Sequence, residues 1–124
     1  MDLDKLRKLS QEGRKNLEKE VLQLCNPQEI ALEIMNNLEK NAFEKAKIAE
    51  HNAETYFTIY SWNRPLDYGH GLFFKTRTSN LYEMSKILFE MVKKHISDED
   101  IQLSFVNEEN QNVQDLGIHA SLSW

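Results

Sequence analysis

The sequence predicts an α+β fold in the order α-α-β-β-α-β-β, with a four-stranded, largely antiparallel sheet carrying helices on one face. Three observations predict it. Apolar residues recur at helical intervals of three and four through the first part of the chain. From Thr55 the texture turns to β-branched and aromatic residues. The final segment alternates apolar and polar residues with a period of two. At 124 residues there is room for one domain, 1–124, with one core.

The first helix rests on Leu6, Leu9, Gly13, Leu17, Val21 and Leu24, which share one face from about Leu3 to Leu24. Gly13 weakens it by about 1 kcal/mol relative to Ala. A second helix restarts at "CNPQEIA": Asn26 suits the N-cap, Pro27 the first helical position, and Glu29 the capping box. Ile30, Ile34, Leu38, Ala42, Ala46 and Ala49 carry its stripe to about His51. "TYFTIYSW" is apolar or aromatic on both faces, as a central strand requires. "NRPLDYGHG" reads as loop through Pro65, Gly69 and Gly71, and "LFFKTRT" as a second strand pairing back on the first. Asn80 caps a third helix with Glu83 three residues on; Leu81, Met84, Leu88, Met91 and Val92 form its stripe.

Two strands complete the pattern. Ile101, Leu103 and Phe105 alternate with Gln102 and Ser104, and Ile118, Ala120, Leu122 and Trp124 with His119, Ser121 and Ser123. The polar stretch "NEENQNVQDLG" is expected to join them as a long hairpin loop. By phase, the Trp124 indole belongs to the core face.

"EKAKIAE" (Glu44 to Glu50), "YFTIY" (Tyr56 to Tyr60), "LFEMV" (Leu88 to Val92) and "ASLSW" (Ala120 to Trp124) carry a family resemblance. In these segments the chain resembles small α+β accessory proteins of phages and large DNA viruses that end in a Ser-Trp strand. The resemblance covers roughly the last two-thirds of the chain. It implies an αββαββ-like fold and an accessory role, and no catalytic residues.

Composition narrows the function classes. Apolar residues at 40% and charged residues at 28% describe an ordinary globular chain. No apolar run approaches the roughly 20 residues of a membrane span. "MDLDKLRKLSQEG" mixes charge signs and lacks the apolar stretch of a secretory signal. A lone cysteine, Cys25, fits a reducing compartment, so the expected location is the cytoplasm, the host's if the protein is viral. The net charge of −5 disfavours extended nucleic acid as a partner. That charge is uneven: residues 51–95 carry six Lys/Arg against four Asp/Glu, and residues 96–124 none against six. A local basic site for a small anion is compatible with this.

"IHASL" matches the apolar-His-x-Ser/Thr-apolar pattern of two-histidine phosphoesterases, in which His exchanges protons and the hydroxyl holds phosphate. Such chemistry needs two of these strands. Of four histidines only His119 has the hydroxyl two residues later, at Ser121; His70 is followed by Gly71 and Leu72. A single short match is outweighed by the plainer reading, a polar strand face. Metal ligation finds no spacing: there is no Cys-x₂-Cys and no His i,i+4 pair, and "SDED" (Ser97 to Asp100) reads as a solvated helix exit. No cofactor is implied, since the four glycines are scattered and form no phosphate loop.

The densest functional-looking stretch is "WNRPLDYGHGLFFKTR". Trp62, Tyr68, Phe73 and Phe74 offer stacking faces, Arg64, Lys75 and Arg77 are cations, and His70 lies between two glycines. Cations with aromatics hold nucleotides and also make protein hot spots. The plainer reading is that Phe73 or Phe74 fills the core and the glycines turn the chain. The sequence therefore points to a binding protein without catalysis, its partner a host protein or an anionic small molecule such as a nucleotide. The alternative is a phosphoesterase using His119 and Ser121 with His70. A second helix about 37 Å long over strands of about 23–27 Å, joined to the first only through Cys25 and Asn26, predicts a homo-oligomer. The N-terminal segment 1–26 is then the oligomerisation element.

Overall fold

A computed structural model of the chain describes residues 1–63, 68–73, 80–110 and 113–124. The elements are α1 (Leu3–Leu24), α2 (Pro27–Lys47), β1 (Asn52–Asn63), β2 (Tyr68–Gly71), α3 (Leu81–Lys94), β3 (Gln102–Asn110) and β4 (Val113–Ser123). The architecture is α+β. The sheet runs β2-β1-β4-β3 with every pairing antiparallel.

The helix starts follow from the residues at them. Asp2 accepts the Lys5 N–H at the head of α1, and Asn26 accepts from Gln28 and Glu29 at the head of α2, with Pro27 just inside. At α3, Asn80 holds the N-cap position without a side-chain hydrogen bond, so the expected cap is absent. α2 ends at Lys47, four residues before the expected His51, because Ala49 turns left-handed (φ 61°). Glu50 N–H then reaches back to the Lys45 carbonyl. β1 accordingly starts at Asn52 instead of Thr55.

One buried cluster joins the elements. Ile30, Ile34 and Leu38 of α2 and Met84, Leu88 and Val92 of α3 meet Ile59, Leu116, Ile118 and Ala120 of the sheet. A bulge leaves Ile59 without a partner opposite, between Thr58 and Tyr60, and so buries two consecutive β1 side chains. Phe105 of β3 is covered by rings of α3, with Tyr82 and Phe89 centroids each 5.8 Å away. α1 leans on α3, where Leu17 and Val21 join the cluster and Arg14 binds Glu90 at 2.6 Å.

Several expectations are corrected. The second strand is Tyr68–Gly71, inside the stretch read as loop. Its glycines serve close packing: a Cβ at Gly69 would strike the Tyr60 ring, and Gly71 (φ 135°) lies against the Ile59 carbonyl. Of "LFFKTRT", residues 74–78 lie outside the described residues. "NEENQNVQDLG" is mostly strand, because the β3–β4 ladder continues to Asn110↔Val113. Its acidic and amide side chains hid the strand from a reading based on one dry face. Trp124, one residue past the end of the last strand, is 47% exposed and not part of the buried core. Of the α1 stripe only Val21 is buried; Leu6, Leu9 and Leu24 are exposed. The length argument also reverses. With 21 residues α2 spans about 31 Å, whereas β1 with 12 reaches about 40 Å.

Candidate functional site

Candidate functional residues meet at three places. The first is the β1–β2 corner. Register pairs Ser61 with His70, Trp62 with Gly69 and Asn63 with Tyr68, so at this end of the sheet positions 68 and 70 share one face and position 62 lies on the other. Trp62 is half-buried against the core, and Phe73 is fully buried, as the plainer reading of the aromatics held. Arg64, Lys75 and Arg77, with Phe74, lie outside the described residues.

The second is the sheet face turned away from the helices. His119 Nε2 lies 2.9 Å from Glu54 Oε2, across the β1–β4 pair. Ser121 pairs with Glu54 in register and stands on the same face two residues from His119. Together with Asn41 and Lys45 of α2, these groups line one polar cleft. Asn41 donates from Nδ2 to the Glu54 carbonyl at 2.9 Å, which satisfies one group of an otherwise open strand edge. Lys45 is held by Glu50 at 2.9 Å.

Further along this face Tyr56 lies across Gly117, where a Cβ would collide with its ring and hydroxyl. Ser61 Oγ donates to Asp115 at 2.5 Å, and Glu108 stands opposite Asp115 in register. Burial, then the nearby Asp115 and Glu108 charges, push the Tyr56 phenol above its ordinary value.

Register also separates the two candidate histidines. Position 70 lies two strand spacings across and four ladder steps along from His119, about 16 Å in all. A phosphate held between an acid and a base needs both groups within hydrogen-bond reach. His119 has a carboxylate and a hydroxyl as its neighbours instead. The Glu54 partner could not be found from spacing, because 65 residues separate the pair and only the strand register joins them.

The third place is an apolar groove between α2 and the end of the sheet. Met35, Ala42 and Phe43 form one wall, Ile101, Leu122 and Trp124 the other, with Glu39 and Asp98 among the lining residues. Phe43 is 63% exposed. The sequence held a signal for it: Phe43 falls about 140° around the helix from Leu38, off the buried stripe. Elsewhere, no group of three or more metal-ligating side chains occurs among the described residues. Asp98 Oδ1 accepts the Asp100 N–H, as a turn does. The half-buried Cys25 thiol donates to the Val21 carbonyl, and burial raises its pKa, which disfavours the reactive thiolate. No helix among the described residues is long and apolar enough to cross a membrane.

No protein-family model, curated protein or solved structure matches this chain significantly.

Proposed function

We propose that the chain is a small accessory protein of the virus or phage type that acts by binding, without catalysis, as a homo-oligomer. Its ligand is an anionic small molecule of the nucleotide class, taken at the β1–β2 corner through Trp62, Arg64, Tyr68, His70, Lys75 and Arg77. The observation that supports this reading is the β1–β2 register, which sets positions 68 and 70 on one face of this sheet corner, with position 62 between them on the opposite face. Aromatic and cationic residues concentrated on a short hairpin suit a base and its phosphates together. The test is fluorescence anisotropy with labelled ATP and a labelled cyclic dinucleotide. Arg64→Ala and Arg77→Ala should each remove binding while unfolding free energy stays within about 0.5 kcal/mol. Binding unchanged in both variants sinks the reading. A parent protein that binds neither probe turns the search to a host protein partner.

One observation keeps a second reading, a phosphodiesterase: the 2.9 Å contact of His119 with Glu54 beside Ser121. In it His119 is a lone general base oriented by Glu54, with no role for His70. Hydrolysis of bis-p-nitrophenyl phosphate by the parent and its loss in His119→Ala would establish it. A parent inactive on a panel of phosphodiesters removes it.

A further inference from the structure

The first turns of α1 have no partner among the described residues. Leu3, Leu6 and Leu9 are 55%, 49% and 54% exposed. At 100° per residue they occupy the same face as Leu17 and Val21, which lean on α3. The apolar stripe therefore runs on past α3 into solvent. Two basic residues flank it, Lys5 beside Leu9 and Arg7 beside Leu3. Arg7 pairs with Asp4, one turn away at 3.3 Å, in a contact open to water. A short helix with an uncovered leucine face is marginal without tertiary packing.

The groove at the other end of the molecule has complementary features. It is apolar along its floor, with Phe43 and Trp124 standing exposed at its walls. Glu39 belongs to the α2 wall and Asp98 to the opposite wall. A helix with leucines on one face and a cation on each flank fits a trough with an anion on each side.

We propose that the groove of one copy receives the α1 leucine arm of a second copy. Leu3, Leu6 and Leu9 lie between Phe43 and Trp124, and Lys5 and Arg7 face the Glu39 and Asp98 carboxylates. The chain's own arm is engaged along α3 through Leu17, Val21 and the Arg14–Glu90 pair, which leaves its groove open to a neighbour. Reciprocal exchange of arms between two copies gives a closed two-fold dimer, each interface used twice. This deepens the homo-oligomer part of the proposed function and rests on it.

The experiment uses the full chain and two charge-reversed variants, Lys5→Glu with Arg7→Glu, and Glu39→Lys with Asp98→Lys. Light scattering after size exclusion at about 50 µM should give twice the 14.6 kDa chain mass for the parent. Each variant alone should weaken association at least tenfold and run as one chain, with an unchanged circular dichroism spectrum showing that it folds. Mixed in equal amounts, the two variants set each arm against a groove of opposite charge, so both contacts return and a mixed dimer should form. Combining all four substitutions in one chain restores both and should recover the parent mass. A chain carrying Leu6→Cys and Phe43→Cys should form an intermolecular disulfide between those two positions. A parent that runs as one chain overturns both the homo-oligomer and this contact. A dimer indifferent to both charge reversals leaves the homo-oligomer standing and overturns the arm-in-groove contact.

Discussion

Ser85 is the polar side chain that lies fully buried in the core, and its Oγ has no hydrogen-bond partner among the described residues. A buried hydroxyl without a partner forfeits its hydration and gains nothing in exchange. Replacing it with Ala removes that cost and favours the helix it sits in. Ser85→Ala should leave stability unchanged or raise it by about 1 kcal/mol, measured by urea unfolding. A clear loss would mean that the hydroxyl holds a bond essential to the core. Tyr56 and Gly117 show the opposite economy on the open face. Each is explained by the other, because the ring occupies the space a side chain at 117 would need. Neither residue alone signals this.

Among the elements, the end of α2 carries the clearest local strain. Ala49 sits at φ 61°, where L-residues other than Gly lose roughly 1–2 kcal/mol. Around it the reversal is well satisfied by the bonds of Ala49 and Glu50 to Ala46 and Lys45. Ala49→Gly keeps those bonds and relieves the conformation, so it should stabilise the protein by about 1 kcal/mol in the same urea assay; a destabilised variant would refute the strain. The head of α2 was legible in the sequence because Asn26 and Pro27 act through neighbours in the chain. So was the buried stripe of α2 through Ile30, Ile34 and Leu38. β2 was not, because Gly69 and Gly71 imitate loop residues while answering to Tyr60 and Ile59, contacts set by pairing. The extended β3–β4 ladder escaped for a related reason: beyond the helices neither sheet face is dry, and the period-two pattern disappears. At the candidate sites, His119 and Ser121 could be read locally, but Glu54 and the groove required the register and the stacking of elements.

For the molecule as a whole, the order β2-β1-β4-β3 sets the distribution of stability. β1 and β4 occupy the centre and lie under α2 and α3, whereas among the described residues β3 is an edge strand. The amides that bond β1 to β4 should therefore exchange most slowly with solvent, near the rate set by global unfolding. Hydrogen exchange followed by mass spectrometry checks this, and faster exchange at Thr55, Phe57, Ile118 and Ala120 than in β3 would refute it. The same central pairing shapes how the chain is born. Phe57 must find Ile118, about 60 residues later, before the middle of the sheet exists. While the ribosome is still making the second half, α1, α2 and β1 are already outside the exit tunnel with their apolar faces bare. Such a nascent chain is a client for a holdase, and codons that slow translation after β1 would lengthen its exposure.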